Sequence, residues 1–80
     1  FTGAKLTQAK LAQACLANAN IQRAGLQKAD LAQADLRNAN LTGAKLGEAS
    51  LAKANLTQAI LTGADLTDAD LTGATGYKSS

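Results

Sequence analysis

Eighty residues with a net charge of +2 make at most one small domain, and the 46% hydrophobic content, supplied almost wholly by Ala and Leu, offers apolar material for an unusual core. With no His, Trp, Met or Pro and a single Cys, Cys15, the chain can form no internal disulfide, no His-based catalytic set and no paired-thiol zinc site. Its longest apolar run is far too short to span a bilayer and no basic-then-apolar signal opens it, so a soluble chain is expected, with the cytoplasm favoured.

From the first residue a five-residue phrase runs along the chain without a slip. Its centres are Phe1, Leu6, Leu11, Leu16, Ile21 and Leu26, then Leu at every fifth position to Leu71. Two residues before each centre from Leu6 onward stands an Ala, from Ala4 to Ala69, and the Ala persists at Ala74 although its centre has become Gly76. The start in mid-phrase at Phe1, without Met, suggests a piece of a longer protein or a processed form. Self-similarity this strict marks a repeat architecture.

A period of five suits neither regular element. On a helix five residues advance about 500°, so successive leucines would spiral round every face. On a flat strand an odd spacing sends them to alternate sides. The pattern makes sense as a short extended segment followed by a corner. Ala and Leu, two apart, then point to one side and the residue between them points outward. Asn20, Asp30, Asp35, Asn40, Lys45, Ser50, Asn55, Asp65 and Asp70 hold that outward position, and all are polar. The two residues after each Leu are mostly Thr, Gly, Gln, Asn and Lys, as in Thr42-Gly43, Thr62-Gly63 and Thr72-Gly73, and these tolerate turns. A chain that turns inward at every phrase winds into a coil whose stacked turns pair their backbones.

The phrase resembles the A(D/N)LXX signature of the pentapeptide-repeat family over residues 1–75, nearly the whole chain. The resemblance implies an all-β chain: a right-handed quadrilateral β-helix, or solenoid, of about four 20-residue coils. Ala34, Leu36, Ala39, Leu41 and their equivalents would fill its narrow interior, and residues 76–80 would form a tail ending the repeat at Gly76. Phe1 and Ile21 at centres, and Lys5, Lys10, Cys15, Gly25 and Ile60 at the outward position, depart from the signature without threatening the fold.

Coils of twenty would place Asn20 over Asn40 and Asn18 over Asn38, where side-chain amide ladders are expected. They would also place Lys10 over Asp30 as an exposed ion pair, and leave Ile60 as an apolar residue facing outward. Both ends of such a stack expose unpaired edges and core, so Phe1 and Tyr77 are positioned to help cover them, and end-to-end self-association is an open expectation. The charge is uneven: Lys5, Lys10, Arg23 and Lys28 precede any acid, whereas Glu48, Asp65, Asp68 and Asp70 gather in the second half.

Chemistry-bearing patterns are missing. No Ser-His-Asp or Cys-His set, metal-ligand cluster or phosphate-binding loop occurs, and Asp65, Asp68 and Asp70 read as solubilising surface acids rather than a catalytic pair. No catalytic, cofactor-binding or metal residue is therefore assigned, no cofactor is expected, and the chain is read as a non-enzyme. A structural scaffold or protein–protein interaction module is the primary reading, with an unidentified protein partner and neither direct nucleic-acid nor membrane binding. The alternative that the resemblance implies is a DNA-mimicking inhibitor or protector of gyrase-type topoisomerases. An ice-binding face built from Thr42, Thr62 and their neighbours is interrupted by Gln22, Gln27 and Gly47.

Overall fold

The computed structural model describes residues 2–77, which form a squat block of 25 × 23 × 19 Å. Each five-residue phrase is one side of a square coil, and four sides close a coil of twenty. Eleven parallel bridges record the step, each linking an outward residue to the one twenty positions later, from Lys5 with Gly25 to Asn55 with Thr75. Each side contributes one bridged residue because two of its five positions are spent on the corner.

The corner has a defined chemistry. The carbonyl of each centre accepts the N–H of the Ala three residues on, as between Leu31 and Ala34 at 3.0 Å. The second residue after each centre has a positive φ, from 57° at Arg23 to 72° at Gly73. A three-residue hydrogen bond closed over a positive φ at the third position matches a type II turn. Glycine adopts this conformation freely, and Gly3, Gly43, Gly63 and Gly73 sit there. In eleven other phrases a non-glycine residue occupies it, among them Gln33, Glu48 and Lys53. The sequence pointed to turn-tolerant residues after each Leu; the structure puts the demanding backbone geometry at the second of them.

In a phrase with a coil on either side, three further N–H groups bond between coils: the Asp35 N–H donates to the Ala14 carbonyl at 2.9 Å, and the Leu36 and Asn38 N–H groups donate to the Asn55 and Thr57 carbonyls at 2.8 and 3.0 Å. Stacking therefore satisfies the polar backbone around a lumen filled by Leu, Ile and Ala side chains. Leu26, Leu31, Leu36, Leu41, Leu46, Leu51 and Leu56 are buried in that lumen with Ala24 through Ala54, while Leu6, Leu11, Leu61, Leu66 and Leu71 at the two ends are only partly covered. Small Ala at every inward corner lets the walls approach, and a larger side chain there would overpack a closed ring.

The last bridge is that of Thr75 with Asn55. At Gly76 φ is +74°, and a Cβ there would lie 2.5 Å from the Cα of Thr57, so only glycine fits this close crossing. Tyr77 then packs against the edge of the core. The covering role considered for Phe1 falls outside the described residues.

Candidate functional site

The surface is built from four outward columns, one per wall. The first runs Lys5, Gly25, Lys45, Asp65; the second Lys10, Asp30, Ser50, Asp70; the third Cys15, Asp35, Asn55, Thr75; the fourth Asn20, Asn40, Ile60. All these side chains face out, as the alternation of the sequence requires, and no buried polar or charged residue occurs among the described residues.

The outward Asp and Asn do more than solvate the walls. Four of the five N–H groups in a phrase have backbone partners, and the exception is that of the first residue after the centre. The carboxylate or amide oxygen two residues earlier accepts it: Asp30 from Ala32 at 3.1 Å, Asn40 from Thr42 at 3.1 Å, Asp65 from Thr67 at 3.0 Å and Asp70 from Thr72 at 2.9 Å. These are Asx turns, the local competition with regular structure that Asp and Asn supply best. Where Thr follows the centre, its hydroxyl can donate to the same oxygen, at 2.6 Å in Thr42–Asn40, Thr57–Asn55 and Thr67–Asp65. The Thr residues that suggested an ice-facing array are thus partly turned back onto their own wall.

The electrostatics follow from these contacts. Asp35 is held below the usual carboxylate range by the Arg37 side chain, which grips it through two bonds of 2.7 and 2.8 Å, and then by the Arg37 N–H. The Thr67 hydroxyl and then its N–H lower Asp65, with a smaller contribution from Lys45, the residue below it in the column. Thr72 lowers Asp70 in the same way. Asp65 and Asp70 are exposed and Asp35 is half-buried under Arg37, and all three are ionised at neutral pH, as befits surface charge rather than an acid–base pair.

Two column expectations need correcting. Lys10 does lie over Asp30, but no ion pair joins them. Asp30 turns its oxygen onto the Ala32 N–H, and the long Lys10 side chain stays solvated. The one ion pair among the described residues joins Asp35 to Arg37 within a single phrase. A side-chain amide bond between stacked coils forms not at Asn18 over Asn38 but at Gln13 over Gln33, 2.8 Å, where the extra methylene lets one corner side chain reach the next. Ile60 is 47% exposed and the only exposed large hydrophobic residue among those described.

No group of His, Cys, Asp or Glu that could hold a metal occurs among the described residues, and no helix there is long and apolar enough to cross a membrane. The free thiol of Cys15 is exposed. A concavity of about 740 Å³ opens beside Ile60, Gly76 and Tyr77 and is floored by Leu61 and Leu66.

A family model described as pentapeptide repeats, in eight copies, matches residues 1–38 and 39–75. No curated protein sequence matches the chain. Among solved structures, a pentapeptide repeat protein from the thylakoid lumen of Arabidopsis thaliana superimposes with a TM-score of 0.89 at 33% identity, covering 91% of this chain and 50% of that one. One from the cyanobacterium Cyanothece gives 0.68 at 41% identity over 89% of this chain and 52% of its own. One from Nostoc gives 0.57 at 36% identity over 88% and 62%. The chain thus spans about half to three-fifths of the length of these structures. The right-handed quadrilateral β-helix expected from the sequence is the fold they share with it.

Proposed function

This chain belongs to the pentapeptide-repeat family, and on that premise we propose that it is a non-catalytic scaffold that presents flat, preorganised walls to a protein partner. The observation that carries the reading is the set of outward columns. Their side chains are fixed in register by the backbone ladder, several are clamped by Asx turns, and none converges on a cleft with the groups a reaction needs. A surface with few rotamers left to freeze binds a flat partner at reduced entropic cost.

The competing reading, gyrase inhibition by DNA mimicry, requires a long surface of one sign. Here Asp65, Asp68 and Asp70 gather in the last coil, while Lys5, Lys10, Arg23, Lys28, Lys45 and Lys53 occupy the others. For compartment, we place the chain in the cytoplasm, where an exposed thiol such as Cys15 stays reduced. The thylakoid-lumen origin of the Arabidopsis structure makes an organelle lumen the competing assignment.

The scaffold reading is tested by placing a photo-crosslinking amino acid singly at Asn40, Lys45, Ser50 and Asn55, one per wall. Adducts to one and the same protein from a single wall, with the other walls silent, are the expected result. Adducts of random composition from all four would contradict it.

A further inference from the structure

We propose that the wall carrying Lys5, Gly25 and Lys45 binds an acidic segment of a partner protein, one of whose carboxylates takes the place of the side chain that Gly25 lacks. This rests on the scaffold reading and names the wall it uses and the chemistry of its partner.

The ladder leaves one N–H per phrase to the side chain two residues earlier. Elsewhere an Asp or Asn supplies the oxygen, as Asp30 does for Ala32 at 3.1 Å and Asp65 for Thr67 at 3.0 Å. On this wall the outward residues of the first three coils are Lys5, Gly25 and Lys45, and none has a side chain that accepts a hydrogen bond. The N–H groups of Thr7, Gln27 and Gly47 therefore have no acceptor among the described residues, and they stand in one column at the step between coils, about 4.8 Å. The other walls hold no such run of three, because Asn20 and Asn40, Asp30, and Asp35 and Asn55 cap the corresponding donors. Gly25 lies in the middle of the run and leaves open the spot from which an Asp oxygen would reach the Gln27 N–H. Beside that spot the Gln27 side-chain oxygen accepts the Thr7 hydroxyl at 3.3 Å, which leaves the Gln27 amide N–H groups as further donors.

The charge around the spot is positive. Lys5 and Lys45 bridge Gly25 from the coils on either side, and Arg23 and Lys28 stand at the corners where the chain enters and leaves the wall. All four are exposed, and none makes an ion pair among the described residues. The Arg23 stem lies against Gly43, where an added Cβ would come within 3.1 Å of its Cγ, so it leans toward the coil that carries Lys45. Acids set the limit of the patch: Glu48, Asp65 and Asp68 occupy the same wall on and beyond the coil of Lys45. A nucleic-acid strand laid along the wall would run from the bases into these acids. An extended peptide with acids at alternate positions, all on one side and about 7 Å apart, covers the basic part alone. Hydrogen bonds from N–H to carboxylate are charge-assisted, and donors already fixed by the ladder need no ordering to receive one.

Titration of the 80-residue chain with a fluorescein-labelled peptide carrying Asp at alternate positions tests this, read by fluorescence anisotropy and by the amide proton spectrum. The peptide should bind and move the Gln27 N–H proton downfield, and its counterpart with Asn for Asp should not. Gly25→Asp supplies the oxygen from within the chain, so its melt should be no lower than the parent's while peptide binding falls at least about tenfold. Gly25→Asn occupies the same N–H without adding charge and should weaken binding less, by about threefold. Arg23→Gln with Lys45→Gln leaves that N–H open and should weaken binding about fivefold at an unchanged melt. A Gly25→Asp variant that binds like the parent, an unmoved Gln27 N–H, or tighter binding of a single-stranded DNA oligonucleotide than of the peptide would overturn the inference. So would single-wall adducts from Asn40, Ser50 or Asn55 in the crosslinking experiment, a result that leaves the scaffold reading standing.

Discussion

Replacing Ala34 with Phe, and separately its neighbour Asp35 with Ala, sets the inward and outward positions of one wall against each other. Ala34 is buried, its N–H bonds to Leu31 at 3.0 Å, and its carbonyl accepts the Asn55 N–H at 3.0 Å. The wall is therefore tied on both sides where a ring would have to fit. Overpacking costs about 1–3 kcal/mol. Displacing the wall far enough to break the Asn55 bond adds about 1 kcal/mol. The sum, about 2–4 kcal/mol, corresponds in a domain of this size to a melting temperature lower by roughly 10–30 °C. Asp35→Ala removes the grip of Arg37 and the acceptor for the Arg37 N–H, but both partners already face water and stay solvated. Its melt should lie close to that of the parent. Thermal unfolding followed by far-ultraviolet circular dichroism compares the two, and equal losses would refute the assignment of inside and outside.

At Glu48, an exposed corner with φ +58°, Val should cost roughly 1–3 kcal/mol although it touches no core, because a β-branched residue strains in this region; an unchanged melt would contradict the turn assignment. Gly76→Ala places a methyl 2.5 Å from the Thr57 backbone, so it should lift Tyr77 from the end of the core, seen as a change in the emission of the chain's single Tyr with little effect on the overall melt. Acid should destabilise in a defined window. The lowered carboxyls of Asp65 and Asp70 contribute stability that is fully present above the unfolded value near 3.9 and is lost as pH falls through their folded values, so the melt should hold from about pH 7 to about pH 5 and drop below about pH 4. Asp65→Asn with Asp70→Asn should shallow that drop, and an identical acid profile would show that the caps contribute nothing. In a supercoiling assay the isolated chain should leave gyrase active; inhibition abolished by mutating Asp65, Asp68 and Asp70 would favour mimicry over scaffolding.

The coil was legible because the phrase never slips: Ala and Leu two apart can share a side only in an extended segment, and a fixed five can recur only with a corner between segments. The positive φ was harder to see, since Gln, Asn, Lys, Arg, Glu and Asp fill most corners and none announces it. Four of the seven glycines, Gly3, Gly43, Gly63 and Gly73, stand at that very position and were the available signal. The outward Asp and Asn were legible as polar but not as caps. Their role follows only from noticing that one N–H per phrase lacks a backbone partner, which requires the ladder. Lys10 over Asp30 shows the limit of column reasoning: register brings two residues together, but a closer donor on the same phrase takes the carboxylate.

Amide hydrogen exchange measures most directly whether the walls are preorganised, as a scaffold requires. The N–H groups of Lys45, Ser50 and Asn55 bond to the Ala carbonyls of the preceding coil at 2.9 to 3.0 Å. They should exchange orders of magnitude more slowly than the N–H of Gly47, a corner donor between the same walls to which the ladder gives no backbone acceptor. If the central walls exchange as fast as that corner, the surface is not held ready for a partner and the scaffold account fails.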